Sequence, residues 1–230
     1  MPLRPIHASA TTGDLARSVA DAIASEIGWA VRQRQYATVA FSGGRTPWVM
    51  LAALARHPLA WEHVHIFQVD ERAAPDGHAD RNIAQLINAL APAQLPPSNV
   101  HAIQIGPDLD EAALNYEQAV GAHAPNGFDV VHLGLGADGH TASLIPNDPV
   151  LDVDDRNVAV TGVYQGWPRI TLTYPALNAA RSIVWMVDGA AKAAALVLLR
   201  SRDPSIPAGR VDTTNAQIFC DHAAAATGDA

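Results

Sequence analysis

Apolar residues recur four positions apart at Leu15, Val19, Ile23, Ile27 and Val31, behind Thr11 and Thr12, two hydroxyl residues suited to cap a helix. That period predicts one amphipathic helix over residues 12–34. The pattern then changes to short apolar runs. Residues 37–41, 64–69, 128–133, 158–163, 170–173, 183–187 and 217–220 read as strands. Helical stretches separate them: one starting at Pro47, a residue suited to a first turn, and others over 81–90, 110–121 and 190–199. Strands of four to seven residues alternating with helices predict an α/β fold, a three-layer αβα sandwich around a mostly parallel, Rossmann-like sheet. Pro and Gly gather at loops, and no linker is long enough to separate domains, so one domain over residues 1–230 is expected.

Composition narrows the class. About half of the 230 residues are apolar (49%) and 17% are charged, which excludes a disordered chain and supports a sizeable core. Fifteen Lys and Arg against 23 Asp and Glu leave a net charge of −8, which argues against nucleic acid as a partner. Any anionic ligand must then meet a locally assembled basic patch. The single cysteine, Cys220, excludes an internal disulfide and a cysteine-based zinc site. No apolar run approaches the ~20 residues of a membrane span, and Met1-Pro2-Leu3-Arg4-Pro5 lacks the apolar core of a signal peptide. A soluble cytoplasmic protein is expected.

In open parallel sheets ligands bind beyond the carboxyl ends of the strands. Three polar loops occupy such ends here. Ser42-Gly43-Gly44-Arg45-Thr46-Pro47 combines two glycines, hydroxyls, a charge and a helix start. It suits a phosphate, although a plain strand-to-helix turn would look similar. It lacks the Gly-Lys-Ser/Thr ending of a Walker A loop. Asp70-Glu71-Arg72 is either a solvated loop or a place where Arg72 presents a fork of donors to a ligand oxygen. The third loop, Gly134 to His140, matches G-x-G-x-x-G literally. Pro146 and Pro149 interrupt the long helix that a dinucleotide site requires, which disfavours that reading. The loop also places Asp138 and His140 on either side of Gly139, a pairing that suits a general base near neutral pH. Lys192 sits in a helix start, against the dipole, which makes sense beside a bound anion or as a solvated side chain. His63, His65, His101, His123 and His222 carry no ligand spacing, so no required metal is expected.

Taken together, these clusters resemble the 6-phosphogluconolactonase family, within the superfamily that also holds glucosamine-6-phosphate deaminase. The resemblance rests on Ala40 to Pro47, on Val69-Asp70-Glu71-Arg72 with Pro75, His78 and Asn82, and on Leu133 through Leu144. Arg169-Ile170-Thr171-Leu172-Thr173, Gly189 with Lys192, and the ending from Pro207 to Ala224 complete it. It implies hydrolysis of 6-phospho-D-glucono-1,5-lactone, the second step of the oxidative pentose phosphate pathway, with no cofactor. It also implies phosphate or sugar contacts at Ser42, Gly43, Gly44, Arg45, Arg169 and Lys192. The expected catalytic set is His140 as base, with Asp138, Asp70 and Arg72 around it. Two departures stand out. Ile145 occupies the place of the glutamate that assists ring opening in the deaminase, which favours the lactonase. Arg81 replaces the serine usual before Asn82, which bears on loop packing or one substrate contact. A deaminase-like enzyme and a non-catalytic sugar-phosphate sensor are the alternatives. Monomer and small homo-oligomer both remain open.

Overall fold

The computed structural model describes residues 4–212 and 214–226. The chain opens with strand β1 (His7–Ser9) and helix α1 (Thr12–Arg34). The Thr11 side chain caps α1 by accepting from the Asp14 N–H at 3.1 Å, and Leu15, Val19, Ile23 and Ile27 are fully buried. There follow β2 (Ala37–Phe41), α2 (Arg45–Leu54), β3 (Val64–Gln68), β4 (Asp70–Arg72), α3 (Asn82–Leu90), β5 (Val100–His101) and α4 (Leu109–His123). The second half contains β6 (Val130–Gly134), β7 (Val158–Val160), β8 (Arg169–Leu172), α5 (Tyr174–Asn178), β9 (Ser182–Val187), α6 (Ala193–Ser201), β10 (Ala216–Asp221) and α7 (His222–Ala225).

Seven strands form one sheet in the order β1-β10-β9-β6-β2-β3-β5, and every neighbouring pair is parallel. The α/β sandwich expected from the alternation is therefore present. Its layers follow the pleat. Val39 and Phe41 pack with α1, α2 and α3, whereas Ala40 between them faces the other core, with Tyr116 and Val120 of α4 and Leu196 of α6. Among the described residues no helix is long and apolar enough to cross a membrane.

The short elements β1, β5, α5 and α7 have no counterpart among those expected, and three of the expected stretches differ in the structure. Residues 158–163 and 170–173 do not join the parallel sheet. β7 ends at Val160, and β8 pairs antiparallel with both β7 and β4 to make a separate three-stranded sheet. A short apolar run announces a strand but not its partner, and the charged triplet of β4 has no apolar alternation to announce it at all. Helix α2 starts at Arg45 rather than Pro47, because Gly44 takes the cap position and a proline is still tolerated in the first turn. The helix expected over 190–199 begins as a 3₁₀ turn, Ala190–Lys192, and becomes α-helical from Ala193.

One buried group sets an acid limit on this core. His132 of β6 is fully buried, and neither ring nitrogen has a hydrogen-bond partner. Burial lowers its pKa to about 3, so it is neutral in the folded protein. The unfolded imidazole titrates near 6.5, so this contribution to stability is complete above pH 6.5 and is lost as pH falls. By pH 5 the loss amounts to about 2 kcal/mol. In urea unfolding at pH 7.5 and pH 5, His132→Leu is expected to lose about 2 kcal/mol less than the parent between the two conditions. Equal losses would show that His132 does not limit acid stability.

Candidate active site

Loops from the carboxyl ends of β2, β3 and β6 converge, as the parallel order requires, and enclose a crevice of about 300 Å³. Ser42 to Pro47, Asp70, Arg72, Gly136, His140, Arg169 and Lys192 line it. All the expected site residues but one thus meet in a single cleft. The exception, Asp138, stands behind His140 and reaches the crevice through it.

One end is built for an anion. Gly44 caps α2 at φ +133°, a conformation open to glycine, and supplies no side-chain cap for the first N–H groups of the helix. A side chain at Gly43 could not fit, because its Cβ would stand 2.3 Å from Asn82 Oδ1. Asn82 is itself anchored by its amide donating to the Asp70 carbonyl at 3.2 Å. The exposed side chain of Arg45 opens α2, and Thr46 Oγ1 ties that helix start to Asp188 on the far side of the cleft at 2.7 Å. Lys192 closes the 3₁₀ turn opposite, immediately before α6. That turn is fixed where the Gly189 N–H donates to both Asp221 carboxylate oxygens, at 3.0 and 3.1 Å. A helix N-terminus with flanking cations is the arrangement that holds a phosphate in an otherwise acidic chain.

The other end carries a histidine–aspartate pair and two arginines. His140 Nδ1 lies 2.6 Å from Asp138 Oδ1. With Asp138 ionised, Nδ1 is the protonated nitrogen and Nε2 keeps its lone pair. Burial opposes the Asp138 charge, but the neighbouring His140, its hydrogen bonds and the Tyr164 hydroxyl outweigh that and hold the carboxyl below its ordinary range. Tyr164 donates to Asp138 Oδ2 at 3.0 Å, and its ring lies 5.0 Å from the Arg169 guanidinium. Arg72 and Arg169 are direct cross-strand partners in the β4–β8 pair. Like charges placed opposite one another are unfavourable unless an anion lies between them. Asp70 supplies some of that neutralisation, with Oδ2 at 3.9 Å from Arg169 Nη1.

Of the two carboxylates expected around His140, only Asp138 bonds to it; the Asp70 carboxylate accepts from Ser143 Oγ at 2.5 Å. Burial, with Glu71 alongside, raises its pKa against the opposing effects of Ser143, Arg169 and Arg72. Ser143 is fully buried beside it, so its hydroxyl is structural and not an exposed nucleophile. Arg81 lies away from the crevice. It is buried, donates to Asp76 Oδ1 at 2.8 Å and to the Ala74 carbonyl at 3.2 Å, and stands 3.4 Å from Glu71. Its departure from the usual serine therefore concerns loop packing and not the ligand.

The glycine fingerprint receives a physical explanation without a dinucleotide. A Cβ at Gly136 would meet His140 Nδ1 at 2.1 Å, and one at Gly139, whose φ is +82°, would meet Ile206 at 2.4 Å. These glycines let the histidine–aspartate pair and Ile206 pack onto the loop. A 3₁₀ turn, Pro149–Asp152, follows instead of a long helix. Among the described residues, no three His, Cys, Asp or Glu side chains in the crevice lie close enough to share an ion. Tyr164 and Asp188 escaped the sequence reading, and Asn82 entered it only as part of the matching motif, with no site role. Tyr164 lies in the β7–β8 connection with no motif around it, and only its tertiary position gives it meaning.

Comparisons with known proteins agree with this geometry. Residues 10–220 match the family model for glucosamine-6-phosphate isomerases/6-phosphogluconolactonase. A 6-phosphogluconolactonase of Synechocystis is 41% identical over 183 residues, 76% of this chain and 75% of that protein. The crystal structure of 6-phosphogluconolactonase from Thermotoga maritima superposes with a TM-score of 0.85 at 26% identity, covering 94% of this chain and 98% of that one. A monomeric glucosamine-6-phosphate deaminase shares the fold at a TM-score of 0.83 and 18% identity, over 96% of this chain and 99% of that one. From Thr11's helix to the last strand, then, the chain belongs to the glucosamine-6-phosphate isomerase/6-phosphogluconolactonase family.

Proposed function

We propose that the protein hydrolyses 6-phospho-D-glucono-1,5-lactone to 6-phosphogluconate, with His140 as general base. The observation that carries this reading is one cleft holding both the His140–Asp138 pair and, apart from it, the open helix start with Arg45 and Lys192. The many curated lactonase relatives support the same reaction. The phosphate binds at the α2 end and holds the lactone with its carbonyl toward His140. His140 Nε2 takes a proton from water, and the water oxygen attacks C1. The charge that develops on the carbonyl oxygen is met by the Arg72 and Arg169 guanidinium groups. As the tetrahedral species collapses, the C1–ring oxygen bond breaks and the imidazolium returns its proton to that oxygen. Asp138 stabilises the imidazolium throughout, and Tyr164 holds Asp138.

The deaminase reading lacks its carboxylate. Ile145 is a buried apolar residue at the place where ring opening would need one. The decisive assay generates the lactone in situ and follows its loss above the spontaneous rate, with glucosamine 6-phosphate as the competing substrate. Acceleration on the lactone alone is expected, and ammonia release from the amino sugar would overturn the assignment.

Lys192→Ala separates binding from chemistry. A charge-assisted contact to phosphate contributes about 1.5–3 kcal/mol, so KM is expected to rise roughly 10- to 100-fold while kcat changes little. An unchanged KM in steady-state kinetics would remove Lys192 from the phosphate site.

A further inference from the structure

Outside the crevice, three histidines distant in sequence share one spot. His65 is the second residue of β3, His101 the last of β5 at the sheet edge, and His123 the last of α4. The parallel register pairs Phe67 with His101, so His65, Phe67 and His101 project from the same face of the sheet. Helix α4 covers that face, and His123 follows Tyr116 and Val120 on its inward side. One ligand nitrogen from each ring lies within 4.8 Å of the other two, and His65 Nδ1 is 2.9 Å from His101 Nε2. The ring centres are 5.2, 4.8 and 4.2 Å apart.

We propose that His65, His101 and His123 bind one first-row transition-metal dication of the zinc class. At a metal–nitrogen distance of about 2.0–2.1 Å, three tetrahedrally placed imidazole nitrogens stand about 3.4 Å apart. The 2.9 Å contact has to open slightly and His123 has to close in, a rotation available to a side chain at a helix end. Imidazoles must be neutral to ligate. Burial and the neighbouring histidines favour that form at His101, whose pKa falls to about 4, and burial and His123 lower His65 too. All three side chains are half-buried, so water can reach the fourth coordination position. An all-nitrogen set selects against Mg²⁺ and Ca²⁺, which take oxygen ligands. The site is structural rather than catalytic. His65 sits five residues before Asp70 along an extended chain, roughly 16 Å away, at the opposite end of β3 from the crevice. A bound ion would tie the two-residue edge strand β5 to β3 and to the end of α4.

The test uses the untagged full chain, stripped with chelator and titrated with Zn²⁺ by calorimetry. One equivalent is expected to bind, and at a hundredfold excess over its Kd to raise Tm by roughly 5–10 °C. Co²⁺ is expected to give the visible bands of a tetrahedral nitrogen site. His101→Gln and His123→Gln should each weaken binding at least tenfold while lactone hydrolysis persists, and His140→Ala should leave the titration unaltered. No binding by the parent protein, wild-type affinity in both glutamine variants, or loss of binding in His140→Ala would overturn the proposal. Imidazole ¹H–¹⁵N spectra of the parent read the same question if a variant does not fold. Resonances of these three histidines must move with one equivalent of Zn²⁺, and movement of other histidines instead refutes the site.

Discussion

His140→Ala is expected to lower kcat by about a hundredfold to ten-thousandfold and to leave KM within a few-fold of the parent value. The size follows from the role. Removing a positioned base withdraws roughly 3–5 kcal/mol of transition-state stabilisation, while the proposed phosphate contacts at the α2 start, Arg45 and Lys192 are untouched. The crevice keeps its shape, because the His140 side chain packs against Tyr164 and Asp138 at the crevice rim, partly open to solvent, and not in either apolar core. The measurement is steady-state hydrolysis corrected for the spontaneous reaction, which sets the floor. A variant with full kcat would mean that another group activates the water, and the whole proton path drawn through Nε2 would fall with it.

Gly136→Ala is expected to cost about a hundredfold in kcat without unfolding the protein. The added methyl would begin 2.1 Å from His140 Nδ1 and 2.4 Å from Asp138 Oδ1, so the pair must move. The backbone itself accepts the change, since Gly136 is not among the residues with positive φ. Its own hydrogen bonds, from its N–H to the His140 carbonyl at 2.8 Å and from the Gly139 N–H to its carbonyl at 3.0 Å, hold the loop in place. The strain therefore passes to the His140 and Asp138 side chains, the proposed catalytic pair. Displacing a reacting group by about 1 Å costs on the order of a hundredfold. Measuring kcat and Tm on the same sample distinguishes this from general damage. Activity should fall while Tm moves little, and wild-type activity would show that the pair does not depend on the bare backbone beneath it.

These two effects differ in how they could be foreseen. The Asp138–His140 spacing, followed by Thr-Ala-Ser-Leu, marks the proposed base in the chain itself. The steric need at Gly136 does not, because the sequence shows a glycine but not the atoms stacked above it. The same division runs through the fold. Helix α1 was legible from its four-residue period and its threonine cap. Strands β2, β6 and β9 were legible because a strand buried on both faces is predominantly apolar, even with Thr38, His132 and Ser182 among its residues. Strand β4 was invisible, since Asp-Glu-Arg has the composition of a loop and becomes a strand by pairing with β8. That pairing is also what sets Arg72 against Arg169.

Sequence alone determined where each polar loop follows a strand, and the parallel alternation implied that such loops share one end of the sheet. It also determined the shortage of cations that makes a local patch necessary. Tertiary structure decided the assignment of partners: Ser143 for Asp70, Tyr164 for Asp138, Asn82 beneath Gly43, and His65, His101 and His123 gathered at the far edge. The physical reason is range. Period, propensity and capping act over a few residues and leave their mark in local order. Side-chain partners here are 22 to 73 positions apart, as 101 is from 123 or 70 from 143, and only the packing of the layers brings them together.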